Sequence, residues 1–377
     1  MSSLLEVDVQ KEFVSQLLTW YKQEGRHDMP WRKTRDPYAV LLSEFMLQQT
    51  TVATVLPYYE RFLNKFPSIG SLAKANLNDV LALWSGLGYY ARARHLWAAS
   101  KAIVEKFDGQ VPSQVKSLES LPGIGPYTAG AIASFAFNEP AAVLDGNIIR
   151  VLMRILAIED DPKLKAVQVI LRKVGFDLSA LRKLKTKKNN NLMGPRDVNL
   201  ALMDLGSTVC LPQNPKCLIC PVASACLAKK YAKQNSIPMK GETPERPTVK
   251  KLFAVVEKKG EWLMGQRPSK GLFGGLWEFI GAETGAGTDP VNFIEDLVQE
   301  ETHIKVRVER SIAAFEHVLT HRTFIIKPFI CSGSRNELSR PLPQKGIQYE
   351  RFKWVLSKNI PKLGISAFTR RIISQIE

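Results

Sequence analysis

Four of the chain's five cysteines fall in one short stretch, CLPQNPKCLICPVASAC (210–226), spaced Cys210, six residues, Cys217, two residues, Cys220, five residues, Cys226. So many thiols in so short a segment leave three local solutions: disulfides, a zinc site or an iron–sulfur cluster. The N-terminus, MSSLLEVDVQKEFV, lacks the basic start and apolar run of a signal peptide. No stretch approaches the roughly 18 apolar residues of a membrane span. The expectation is a reducing, cytoplasmic setting, where structural disulfides do not persist. Zinc and a cluster both remain open on the cysteines alone. Cys331, isolated in a strand-like run, reads as a core residue.

Up to about Lys230 the pattern is helical. VSQLLTWY, VLLSEFML, DVLALWSGLGYYARARHLWAASKAIVEKF and AGAIASFAF carry apolar residues at three- and four-residue intervals. RKLKTKKNNNLMGPR (182–196) is basic and low in complexity and reads as a surface loop. KQNSIPMKGETPERPTVK (233–250), with three prolines and no periodicity, reads as a linker. Beyond it KLFAVVEK, EWLMGQR, FIIKPFIC and RFKWVL are strand-like, with one helical stretch, PVNFIEDLVQEE, among them. An α+β module therefore follows an all-α one.

Charge suggests the partner. The chain has 52 Lys and Arg against 36 Asp and Glu, a net +16 shared by both parts. Such a surface suits a polyanion, whose counterions are released on binding, although charge alone also serves solubility. LPGIGPYTAGAIASFAF (121–137) feeds a Pro-Gly-Ile-Gly turn straight into a helix. Gly123 and Gly125 let the backbone turn, and the helix start adds a positive end that can hold a phosphate without reading a base. Alone, such a turn is usually only a tight connection.

LPGIGPYTAGAI resembles the helix-hairpin-helix of the DNA glycosylases related to endonuclease III. Members of that superfamily carry the same Cys-x6-Cys-x2-Cys-x5-Cys spacing downstream as ligands of a [4Fe–4S] cluster. The resemblance thus implies that Cys210, Cys217, Cys220 and Cys226 hold such a cluster. Within the superfamily, MPWRKTRDPYAVLLSEFMLQQT (29–50), GLGYYARAR (86–94), AVLDGNIIRVLMR (142–154) and FEHVLTH (315–321) are similar to the MutY branch, the adenine glycosylases. The implied fold is multi-domain: an all-α helix-hairpin-helix glycosylase core with an iron–sulfur loop, then an α+β Nudix-like (MutT-like) domain. The expected boundaries are 1–232 for the catalytic domain, 233–250 for the linker and 251–377 for the Nudix-like domain. Within the first, about 31–139 would form a six-helix barrel lobe with the hairpin at 121–130. The N-terminal segment and about 140–232 would form the iron–sulfur lobe.

Glu44 lies three and four residues after Leu41 and Val40, beside an apolar face, where lost hydration would raise its pKa. Periodicity alone would favour an exposed or salt-bridged Glu. The family implies that it protonates the departing adenine. Asp145 precedes IIRVLMRIL and suits a helix cap, a position expected to keep its carboxylate ionised. The family assigns it to stabilising the sugar cation or its adduct, with Asn147 in support. Lyase-competent relatives place a lysine where this chain has Tyr127, so no Schiff base can form there and a monofunctional enzyme is implied. Gln49 and Tyr89 match positions that wedge into the base stack. Trp31 and Arg32 are expected at the base pocket, and Leu200 stands where relatives often carry Gln or Glu.

In the C-terminal part GGLWEFIGAE and VQEETHI resemble a Nudix box, but Asp296, Leu297 and His303 replace its Arg, first Glu and Gly. Pyrophosphate hydrolysis is not expected; binding is. Thr320 and His321 occupy the place of a Ser-His pair directed at 8-oxoguanine. The implied partner is double-stranded DNA with adenine opposite 8-oxoguanine or guanine, met by a monomer away from membranes. An endonuclease III-like glycosylase/lyase for damaged pyrimidines, and a non-catalytic iron–sulfur DNA-binding protein, are the alternatives.

Overall fold

The computed structural model describes residues 7–181, 193–239, 245–285 and 287–376, so most of the basic stretch at 182–196 lies outside the described residues. The described chain is helical up to the helix Leu227–Lys230 and turns to strand at Thr248. Two compact units emerge: one of residues 1–49, 68–70 and 99–242, the other of residues 50–67, 71–98 and 243–377.

In the first unit the helix Val7–Glu24 buries Phe13, Val14, Leu17, Leu18 and Tyr21, a stripe at helical spacing. The stripe joins a core supplied by the helices Gly146–Leu156, Lys165–Ala180 and Pro195–Thr208. Each fully buried Leu or Phe there stabilises the fold by about 1.5–3 kcal/mol. The helix Pro37–Leu47 differs, since every residue from Tyr38 to Met46 is buried. It is capped by Asp36, whose side chain accepts the Tyr38 amide, and it starts on Pro37, where a missing N–H costs nothing.

The second unit is built on a seven-stranded mixed sheet: β1 (Thr248–Lys258), β2 (Glu261–Gln266), β3 (Trp277–Thr284), β4 (Arg307–Ser311), β5 (Phe315–Val318), β6 (Thr323–Ser332) and β7 (Arg351–Leu356). Its order is β4-β6-β1-β3-β2-β7, with β5 also paired to β6; β1 and β6 run parallel and the other pairs antiparallel. The helix Pro290–Thr302 supplies Ile294, Leu297 and Val298 to one apolar layer, and the helix Ala367–Ile376 supplies Phe368 and Ile372 to the other. The strand-like runs named from the sequence are β1, β2, β6 and β7. The helices Val52–Lys65 and Leu77–Trp84 belong to this unit too. Among the described residues no helix is long and apolar enough to cross a membrane.

Candidate active site

Three elements of the first unit bring Glu44, Tyr127 and Asp145 together. Glu44 projects from the all-round buried helix Pro37–Leu47 and is itself 5% exposed. The Tyr127 hydroxyl, from the first turn of the helix Pro126–Phe137, donates to Glu44 Oε2 at 3.1 Å. Burial pushes the Glu44 carboxyl up to about 7; the Tyr127 hydrogen bond and Arg32 pull it back, and the negative field of Asp145 adds to the rise. A carboxyl so placed holds a proton near neutrality.

Asp145 caps the helix Gly146–Leu156, as Asp-Gly-Asn before an apolar run suggests. Its Oδ1 accepts the Ile148 amide at 2.7 Å and its Oδ2 accepts Asn147 Nδ2 at 2.9 Å. Burial raises its pKa as well, against the expectation that the helix end keeps it ionised; the donors from Ile148 and Asn147 and the Arg150 guanidinium oppose that rise. The two carboxyls therefore differ in partners more than in burial, one facing a phenol and the other held by amides. Asn147 Oδ1 in turn accepts Arg150 Nη2 at 2.9 Å, and Arg150 Nε donates to the Cys210 carbonyl at 2.8 Å. Sequence reasoning missed Arg150, although its i+3 spacing from Asn147 on a helix makes the contact readable.

Trp31 is buried on the short helix Pro30–Lys33. The Arg32 guanidinium is committed to Asp204, with contacts of 2.6 and 2.9 Å, and Arg26 Nε adds a third at 2.7 Å. Burial works against the Asp204 charge, but the two arginines outweigh it and hold its carboxyl below the usual range. Arg32 thus acts on Glu44 as a nearby positive charge, while its hydrogen bonds go to Asp204 and the Arg26 carbonyl. Leu200 lies in the apolar core of this unit.

In the hairpin, Gly123 takes φ +74° and Ile124 buries beneath it, while Pro122, Gly123 and Gly125 are exposed. Gln49 and Tyr89 are each exposed and each adopts a left-handed backbone, φ +54° and +49°. Such values are uncommon outside glycine and are held only by surrounding structure. The Tyr89 hydroxyl lies 2.6 Å from Thr320 Oγ1. Thr320 and His321 are exposed in the turn between β5 and β6, closed by the Leu319 amide on the Arg322 carbonyl.

The four clustered cysteines are unpaired and line one cleft with Arg154, Val222 and Gln234. Arg154 is 2% exposed and clasps the loop: Nη1 reaches Cys210 Sγ at 3.3 Å and the Leu211 carbonyl at 2.6 Å, and Nε reaches the Ile237 carbonyl at 2.7 Å. Burial, with negative charge on the other three cysteines adding to it, pushes the Cys220 thiol up to about 11. Four soft thiols facing one cleft, beside a buried guanidinium, fit an anionic four-cysteine iron–sulfur cluster. Among the described residues no three metal-binding side chains converge on a single-ion site.

In the C-terminal part, Glu301 accepts the amides of Ile347 and Gln348 at 2.9 Å each and is 1% exposed. Asp296, Gln299, Glu300 and His303 line a separate open cleft.

Residues 42–175 match the family described as HhH-GPD superfamily base excision DNA repair protein, and residues 252–375 match the NUDIX domain. An adenine DNA glycosylase of Buchnera aphidicola (subspecies Schizaphis graminum) is 33% identical over 361 residues, covering 96% of this chain and 97% of the relative. The rat adenine DNA glycosylase is 40% identical over 319 residues, but the match spans only 60% of its length; the human one is 37% identical with 57% spanned. A thermostable thymine-DNA glycosylase superposes with a TM-score of 0.52 at 30% identity, covering 59% of this chain and 98% of that structure.

Proposed function

Because this chain belongs to the adenine DNA glycosylase family, we propose that it hydrolyses the N-glycosidic bond of adenine mispaired with 8-oxoguanine or guanine in duplex DNA. The observation that carries the reading is Glu44, buried against Tyr127 with its pKa pushed up to about 7 and Asp145 close enough to raise it. Glu44 delivers a proton to the adenine, which leaves as a neutral base. Asp145, held by Ile148 and Asn147, faces the positive charge that develops on the sugar. Water then takes the anomeric carbon. Tyr127 has no amine to offer, so the strand is not cut by elimination; its hydroxyl orients Glu44 instead.

The hairpin glycines hold a phosphate, and Gln49 and Tyr89 fill the space left by the extruded nucleotide. Thr320 and His321 read the opposing base. Cys210, Cys217, Cys220 and Cys226 would hold a [4Fe–4S] cluster, which when bound ties the loop into one rigid body. The chain acts as a monomer.

A duplex with one adenine opposite 8-oxoguanine tests the reading. Strand breaks should appear at the adenine only after alkali. Breaks without alkali would favour the glycosylase/lyase alternative, and none under either condition would favour a binding protein.

A further inference from the structure

The turn that presents Tyr89, Ser85-Gly86-Leu87-Gly88-Tyr89-Tyr90, joins the helices Leu77–Trp84 and Ala91–Lys106. Three of its residues are left-handed: Gly86 at φ +103°, Gly88 at +75° and Tyr89 at +49°. A tyrosine in that region keeps its backbone only where neighbours over-determine it. Some of the bracing is local. Tyr58 Oη donates to the Ser85 carbonyl at 3.1 Å, Trp84 Nε1 donates to the Gly88 carbonyl at 3.1 Å, and Arg92 Nη2 reaches the Leu87 and Gly88 carbonyls at 3.3 and 3.1 Å.

The rest comes from the far end of the chain. The Ile365 carbonyl accepts two hydroxyls, Ser85 Oγ at 2.8 Å and Tyr90 Oη at 2.6 Å, from the two residues that flank the turn. Tyr90 Oη also accepts the Gly86 amide at 3.3 Å. All three side chains are buried, at 4% exposure for Ser85, 6% for Tyr90 and 1% for Ile365. The segment bearing that carbonyl is itself pinned to the sheet, because the Trp277 amide of β3 donates to the Gly364 carbonyl at 2.8 Å. It also packs so closely on the helix Leu77–Trp84 that a Cβ on Gly364 would lie 2.8 Å from Leu81 Cβ. An unbroken path of short contacts thus runs from β3 through Gly364 and Ile365 to both ends of the turn, inside one compact unit.

We propose that Ser85 and Tyr90 are positioning residues, through which the Ile365 carbonyl holds the turn in the pose that aims Tyr89 into the base stack. The C-terminal module then serves the extrusion of the adenine, whichever base lies opposite, in addition to any reading of that base. This rests on the reading of Tyr89 as a wedge given above. It is distinct from the Tyr89–Thr320 contact, which touches the exposed tip of the ring, whereas Ile365 grips the base of the turn.

The test is the double variant Ser85→Ala/Tyr90→Phe in the full cluster-loaded chain, with Tyr90→Phe alone as the milder step. The first readout needs no DNA. Amide exchange over residues 86–90 should quicken about tenfold or more in the double variant, with β1 and β6 unchanged, since a turn freed from its brace opens locally. The second is single-turnover excision at saturating enzyme. It should fall about ten- to a hundredfold, by the same factor opposite 8-oxoguanine and guanine, with affinity for abasic product DNA kept within about threefold. Tyr90→Phe should lie between, since Ser85 still holds Ile365. Unchanged exchange at 86–90, an excision rate unchanged despite a lower melting temperature, or a loss confined to 8-oxoguanine would each overturn the proposal. A wild-type chain that releases no adenine overturns the functional reading itself, while the exchange measurement still judges the brace.

Discussion

Ionising Glu44 in the folded chain charges a carboxyl that is 5% exposed and close to Asp145, so the folded form binds that proton more tightly than the unfolded one. Two outcomes follow. If the protonated form acts, single-turnover excision should fall about tenfold per unit above about pH 7, and fall again at acid pH where Asp145, its own pKa raised, takes up a proton. The linked effect on stability has the same sign. The contribution is fully present below the ordinary value of 4.5 and is lost as pH rises through about 7. Glu44→Gln should therefore abolish excision, by a factor of about 10² or more, yet melt no lower than wild type at pH 8. A melting temperature clearly below wild type at pH 8 would mean that the fold stabilises the Glu44 carboxylate, against the raised pKa. Little of this was legible from periodicity, because the helix Pro37–Leu47 is buried on every side and shows no polar face against which to judge Glu44. Asp145 was the opposite case: its cap follows from residue type and position, and only its burial needed the fold.

Among the elements, the hairpin and the cysteine loop carry the sharpest expectations. Gly123 at φ +74° has no L-residue substitute without strain. Gly123→Ala should cost about 1–2 kcal/mol locally and weaken DNA binding equally for every opposing base, because a phosphate contact carries no sequence. Fluorescence anisotropy with matched and mismatched duplexes checks this; a change in selectivity would refute it. Cys217→Ser should lose iron and sulfide together, with about four of each in the wild type, as read by metal analysis after anaerobic purification. Stoichiometric zinc without iron would overturn the cluster. Both elements were readable because glycine, proline and cysteine announce backbone and ligand needs locally. β4 and β5 were not. They are four or five residues long with mostly exposed side chains, and only pairing with β6 makes them strands. The long helical pattern from Asp79 likewise hides the break at Ser85–Tyr90, where tertiary bonds override local propensity.

For the molecule as a whole, the grouping of residues 71–98 with the sheet bears on any dissection of the chain. A main-chain carbonyl such as Ile365 has no sequence signature, so contacts across 275 residues cannot be seen before folding. Truncation after about residue 235 should lower excision opposite guanine as well as opposite 8-oxoguanine, since the turn at 85–90 loses its brace. Thr320→Ala in the intact chain should instead reduce only the preference for 8-oxoguanine, by about 1–3 kcal/mol at most. Parallel single-turnover rates on the two duplexes separate these outcomes; equal losses in both proteins would leave Thr320 without a reading role. Glu301 carries the remaining lesson, about history as much as chemistry. Each of its two oxygens accepts one amide, from Ile347 and from Gln348. Writing Arg and Glu back at Asp296 and Leu297 would leave that grip in place, and freeing Glu301 for a metal would undo the 346–348 loop that it fastens. The residue is a keystone: a carboxylate that fastens a loop is not free to hold a metal, so restoring two neighbours alone should not make the module a hydrolase.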